Sequence, residues 1–213
     1  MSRSPQVGIA DGNGWRDHLA ERADAIKSAG RWRSTRTYDS LGPSGTLDHG
    51  PDPVVTFASN DYLGLSSHPA VIEAASAATH RWGTGAGASR LICGTRPVHD
   101  ELQAELADWK HTEAALVFPT GFAANLGVLT VLGGPGVRIV SDELNHASII
   151  DGARLASAEV AIYPHLDLAA ASALITEWPG RSVLVTDAVF SMDGDAVDME
   201  DAVERCAQLG AAL

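Results

Sequence analysis

From residue 114 to the end of the chain, short apolar runs rich in valine, isoleucine and alanine alternate with longer stretches whose apolar residues recur at helical spacing. Strands joined through helices of that length lie parallel in one sheet, and the helices cover both of its faces. The spacing predicts strands over 114–118, 137–141, 159–163 and 182–190, and helices over 121–132, 147–155, 168–177 and 199–209. Two more helices are expected upstream, over 68–82 and 97–110, on either side of a glycine-rich loop. The fold class is therefore α/β, a three-layer α/β/α sheet. Residues 210–213 read as the opening of another buried strand. A central strand without its neighbour leaves backbone groups unpaired, so more chain is expected after them.

Ahead of this region, Trp15, Leu19, Ala23 and Ile26 recur at helical spacing and predict an amphipathic helix ending near Gly30, while residues 1–10 are polar and read as a frayed end. Gly42, Pro43, Gly45, Gly50 and Pro51 break regular structure, marking residues 31–52 as a linker or short hairpin region. The expected division is a helical arm and linker over 1–53 and a partial large domain over 54–213.

With 45% hydrophobic and 20% charged residues, the chain can bury a core. A net charge of -12 argues against sequence-independent nucleic-acid binding, which needs clustered Lys and Arg. The first 30 residues lack the apolar centre of a signal peptide, and nowhere do 18 apolar residues run together, so no membrane segment is expected. Cys93 and Cys206 have neither metal-ligand nor disulfide spacing and read as ordinary buried thiols of a cytoplasmic protein; no metal site is expected.

Three segments carry candidate chemistry. Val117 to Asn125 passes from an apolar run through Pro119, Thr120 and Gly121 into a helix, whose unpaired N–H groups and positive dipole end suit an anion; Thr120 as a plain N-cap is the alternative. His146 follows an expected strand, where α/β sheets face their ligands, and an imidazole there can stack on an aromatic cofactor and exchange protons; a capping role is the alternative. The run 183–190 delivers Ser191, Met192, Asp193, Gly194 and Asp195 at its carboxyl end and holds Asp187, which is expected to be buried and paired. Asp193, Gly194 and Asp195 can also be a simple turn. His146, Ser191 and Asp187 suggest a hydrolytic triad, but no G-x-S-x-G elbow accompanies them. Gly83, Gly85 and Ala88 fit a dinucleotide pattern, yet they follow a helix instead of a strand. His18, His49, His68, His80, His111 and His165 read as solvated or structural.

Six blocks then coincide in order and spacing with one family: Ser59 to Leu65, Gly85 to Arg90, Gly94 to Leu102, Thr120 to Asn125, Asn145 to Ser148 and Phe190 to Asp195. Together they resemble the α-oxoamine synthases, pyridoxal-phosphate enzymes of fold type I, the aspartate aminotransferase-like fold. The resemblance covers residue 54 to the end. It implies that Gly121 and Phe122 contact pyridoxal phosphate, that His146 stacks on its ring and touches substrate in catalysis, that Ser191 bonds the ring hydroxyl, and that Arg31, with Arg33 as rival, meets the substrate. It further implies a homodimer and decarboxylative joining of an amino acid to an acyl thioester. Asn60 to Leu65 and Lys110 to Ala115 most resemble members that join L-alanine to a pimeloyl thioester on the way to biotin, whereas Leu91 to Thr95 and Asn145 to Gly152 also suit members that acetylate glycine. The cofactor-anchoring lysine of the family matches neither Lys27 nor Lys110, the two lysines present. The resemblance therefore implies an N-terminal portion of such an enzyme, inactive alone.

Overall fold

Ile139 and Val140 are adjacent on one strand, both fully buried, yet each belongs to a different hydrophobic core. Successive strand side chains point to opposite faces, so a strand buried on both sides is the centre of a three-layer sandwich. In this computed structural model, which describes residues 14–213, that strand is β4 (Val137–Asp142). The reading of residues 1–10 as a frayed end lies outside the described residues.

The chain divides into two units, Met1–Gly87 and Ala88–Leu213. In the first, α1 (Trp15–Ser28) starts on Trp15 and ends just before Gly30, whose φ of 66° reverses the chain. The expected linker forms an antiparallel sheet of β1 (Tyr38–Ser40), β2 (Ser44–Leu47) and β3 (Pro53–Val55), in that order. Gly45 sits opposite Ser40, so close to Asp39 O that an added Cβ would collide. The unit ends with α2 (Pro69–Trp82), opened by Pro69 and followed by Gly83 at φ 80°. Neither α1 nor α2 buries a side chain, and Phe57, Tyr62 and Leu63 are exposed.

The second unit opens with the turn Arg90–Gly94 and α3 (Pro97–Lys110), then α4 (Gly121–Leu132). After β4 come α5 (Ala147–Leu155), β5 (Glu159–Tyr163), α6 (Leu168–Thr176), β6 (Arg181–Val185), the hairpin β7 (Val189–Phe190) and β8 (Asp195–Ala196), and α7 (Met199–Leu209). Both β5 and β6 pair with β4 in parallel, giving the order β5-β4-β6. Leu129, Ile149 and Ala153 from α4 and α5 cover the Ile139 face, while Leu168, Ala171, Ala202 and Cys206 from α6 and α7 cover the Val140 face. Each large apolar side chain buried this way contributes about 1.5–3 kcal/mol. Gly152 is where α5 meets α4: a Cβ there would press on the Asn125 carbonyl and the Leu129 side chain. Ala212 bridges to Val183 in parallel, as residues 210–213 predict.

Three expectations need correction. Residues 114–118 form no strand; Val117 N–H donates instead to Gln103 Oε1 at 3.3 Å, because a strand exists only where a neighbour takes its backbone groups. The run 182–190 is not one strand: β6 stops at Val185, and Asp187 lies half-buried in the gap before β7. Cys206 is a buried thiol, but Cys93 is exposed in the Arg90–Gly94 turn.

Candidate functional site

Connections leaving the carboxyl ends of β4 and β6 run on opposite faces of the sheet, α5 on one and α7 on the other. A crevice opens where connections diverge in this way, and ligands of α/β sheets bind there. The loops after β4 and β6 are stitched together across it by Asn145, 4% exposed. Its amide nitrogen donates to Ser141 Oγ at 2.9 Å and to Val185 O at 2.8 Å, and its oxygen accepts from Asp187 N–H at 2.9 Å. Asp187 returns the contact, its Oδ2 accepting from His146 N–H at 2.9 Å. Asp187 is thus paired as expected, though half-buried and in a loop.

His146 is the N-cap of α5. Its Nδ1 accepts from Ser148 N–H at 3.1 Å and lies 2.7 Å from Ser148 Oγ. That hydroxyl accepts from Asn125 Nδ2 at 2.8 Å, so its own proton is free for the imidazole. Nδ1 is then an acceptor, and a neutral ring carries its proton on Nε2, which makes none of the described hydrogen bonds. The capping alternative is the one seen, and capping fixes the tautomer while leaving the ring exposed.

Asn125 also ties His146 to α4, at whose start Thr120 Oγ1 accepts from Ala123 N–H at 3.0 Å and Thr120 O accepts from Ala124 N–H at 3.1 Å. The N–H groups of Gly121 and Phe122 precede these bonds and stay available. A Cβ built on Gly121 meets nothing within 4 Å, so the approach to them is open. Two free donors on a positive helix end have the chemistry to hold an anion. A cleft of about 440 Å³ is lined by Asn125, Leu129, Ile149, Val185, Asp187 and Leu213 among others, and Gly121, Phe122, His146 and Ser191 are not part of its lining.

Ser191 sits at the turn between β7 and β8, exposed, and its hydroxyl makes none of the described hydrogen bonds. No hydrolytic relay links His146, Ser191 and Asp187, since Asp187 holds the main chain of His146 and the ring faces Ser148. Arg31 and Arg33 are exposed in the first unit, where Arg31 N–H closes α1 on Ile26 O at 3.0 Å. Lys27 pairs with Asp24 at 3.3 Å, and Lys110 lies 4.5 Å from the Trp109 ring centre. Among the described residues, no cluster of His, Cys, Asp and Glu is placed to hold a metal ion, and no helix is long and apolar enough to cross a membrane.

Sequence reasoning assigned no role to Asn145, Asn125 or Ser148, although all three lie inside motif blocks; a buried side-chain amide beside a strand end was the available signal. It also left Asp142 without a role and read His165 only as solvated or structural. Asp142 is buried, its carboxylate taking Leu144 N–H and Leu166 N–H, each at 2.9 Å, and lying 2.9 Å from His165 Nδ1. His165 follows β5 as His146 follows β4, so the strand-end rule applied to both.

The family described as aminotransferase class I and II matches residues 52–209. The 8-amino-7-oxononanoate synthase of Geobacter sulfurreducens is 45% identical over 197 residues, 92% of this chain and 50% of the relative. That of Symbiobacterium thermophilum is 42% identical over 197 residues, 91% of this chain and 50% of the relative. The chain spans about half the length of the curated relatives it matches. Among solved structures, serine palmitoyltransferase of Sphingomonas wittichii superposes with a TM-score of 0.81 at 27% identity, covering 96% of this chain and 51% of that one. A further serine palmitoyltransferase structure, with a TM-score of 0.81 at 26% identity over 93% of this chain and 50% of its own, contains pyridoxal phosphate. With the three-layer sheet and the crevice at its strand ends already in place, the match over residues 52–209 makes this chain a member of the class I and II aminotransferase family, on the fold-type-I scaffold.

Proposed function

We propose that this chain is the N-terminal portion of a pyridoxal-phosphate acyltransferase that joins L-alanine to a pimeloyl thioester, as coenzyme A or carrier-protein ester, with loss of carbon dioxide, yielding 8-amino-7-oxononanoate. The observation that carries the reading is the hydrogen-bonded chain from the α4 N-terminus through Asn125 and Ser148 to His146 and on to Asp187, in a protein 42% to 45% identical to enzymes named for that product. The residues fit the cofactor: Gly121 and Phe122 offer two free N–H groups to its phosphate, His146 presents a flat exposed ring, and Ser191 has an uncommitted hydroxyl for the ring oxygen. When bound, pyridoxal phosphate supplies the electron sink for bond making and breaking beside the amine. This chain's residues bind and orient it. The Nδ1 contacts of His146 leave Nε2 as the atom that can give or take a proton at the substrate. The Asn145–Asp187 bridge fixes the spacing between the His146 loop and the segment leading to Ser191. Arg31, with Arg33 as its rival, is the substrate arginine in this reading, the protein works as a homodimer, and it resides in the cytoplasm.

Turnover assays of a complete, full-length version with L-alanine plus pimeloyl thioester, in parallel with glycine plus acetyl thioester, test the substrate; preference for the glycine pair overturns it in favour of glycine C-acetyltransferase. Neither Lys27 nor Lys110 is the anchoring lysine in this reading, so the 213-residue chain does not turn over alone. Borohydride trapping of pyridoxal phosphate and peptide mapping check this, and stoichiometric labelling of either lysine together with turnover contradicts it.

A further inference from the structure

Both ring nitrogens of His165 face carboxylate oxygens: Nδ1 lies 2.9 Å from Asp142 Oδ1 and Nε2 lies 3.0 Å from Asp195 Oδ2. A neutral imidazole has one N–H and can satisfy only one of them, leaving a lone pair against an oxygen at the other. The geometry therefore requires an imidazolium that donates both ways, a pair of charge-assisted bonds. The three partners come from three places: Asp142 ends β4, His165 follows β5, and Asp195 opens β8. Phe190 of β7 packs its ring perpendicular to the imidazole, with centroids 4.4 Å apart. The anchor end is rigid, because the Asp142 side chain is fully buried and its second oxygen holds Leu166 N–H, with Leu166 in the left-handed region at φ 60°. The other end is the hairpin whose turn carries Ser191.

We propose that His165, as an imidazolium, is a positioning residue that latches the Val189–Ala196 hairpin, and with it Ser191, onto the carboxyl edge of the parallel sheet. This rests on the cofactor role given to Ser191 above. The charged groups facing the ring are both acidic, Asp142 from β4 and Asp195 from β8, while Glu143 from the next turn accepts the main-chain N–H of His165 on its Oε1 at 3.0 Å. Asp142, and then Asp195, hold the imidazole pKa above its ordinary value, against a smaller opposing effect of burial. The latch is closed while the ring carries both protons. It opens as pH rises through that raised pKa, when one of the two contacts becomes repulsive.

The Asp195→Asn variant separates the latch from mere packing. An amide can either accept from or donate to Nε2, so it keeps the bridge with a neutral ring and removes the alkaline sensitivity. Nitrogen-15 NMR of the full chain should show both His165 ring nitrogens protonated at neutral pH, with the Ser191 and Gly194 amides shifting as the ring titrates. In Asp195→Asn these amides should stay native-like over the same range, with the ring titrating lower. His165→Gln, which satisfies one carboxylate at most, should weaken pyridoxal phosphate binding, read by fluorescence quenching, roughly tenfold, while Asp195→Asn retains it. A bare His165 nitrogen at neutral pH, or hairpin amides indifferent to its titration in the wild type, overturns the latch. Unchanged affinity in a folded His165→Gln protein does the same. Failure of the wild type to bind pyridoxal phosphate, with the NMR behaviour as expected, sinks the proposed function and leaves the latch standing.

Discussion

The two units carry helices of similar pattern but opposite fate. In α2 and α5 alike, apolar residues recur at helical spacing, yet α2 buries none of its side chains within the chain while α5 buries Ser148, Ile149, Gly152 and Ala153. The difference lies in what each helix has to pack on. A parallel sheet buried on both faces gives α5 a floor and α4 a wall, whereas the antiparallel sheet of the first unit has three short strands and little apolar surface to share. Helical periodicity thus says which face is apolar, and the partner surface decides whether burying that face stabilises the fold.

The largest expected effect follows directly. Ile139→Ala removes a side chain with no exposure from the centre of the sheet and should cost about 2–5 kcal/mol, whereas Ile72→Ala on α2, 51% exposed, should change stability by no more than about 0.5 kcal/mol. Urea unfolding of both variants checks the pair; similar costs would mean that α2 is covered in the protein as it exists in solution. Next comes the start of α4. Thr120→Ala removes the cap on Ala123 N–H and should cost about 1 kcal/mol, while opening a third free donor at the helix start. A loss of that size in thermal unfolding, together with faster amide exchange confined to the first turn of α4, would identify the cap as local.

The smallest effects concern pH, and they should have opposite sign in the two units. In the first unit, hydrogen bonding from Ser66 foremost, and from Leu65 N–H, holds the Asp61 carboxyl below its ordinary pKa. A lowered carboxylate stabilises above its ordinary value and loses that contribution as pH falls through the lowered one. His165 is raised, so its contribution is complete below the ordinary histidine value and is lost as pH rises through the raised one. Amide shifts of Leu65 and Ser66 should move only on acidification, and those of Ser191 and Gly194 on the alkaline side. Movement of both sets in one pH window would break the contrast.

Much of the architecture is legible in local pattern. The bounds of α3, α4, α5, β5 and α7 coincide with those expected, because a proline at N1, a Thr N-cap, a glycine turn and an alternating apolar run act over a few residues. The open start of α4 at Gly121 and Phe122 is readable for the same reason, being built from consecutive backbone groups. Long-range pairing is not readable in that way. Residues 114–118 have strand-like composition, but no strand lies alongside them here, and Val117 turns to Gln103. The break after Val185 arises because Asn145, 40 residues earlier, takes the Val185 carbonyl and the Asp187 N–H.

Composition and spacing were enough for the α/β class, the helix ends and the family's motif blocks, since each is written in neighbouring residues. Which residues meet was settled by the fold. Asn125, Ser148, His146 and Asp187 join because β4 and β6 lie side by side and α4 packs on α5 through Gly152. His165 acquires two carboxylates only because three separate strand ends converge, and a histidine's protonation follows from the oxygens placed around it, not from its place in the chain.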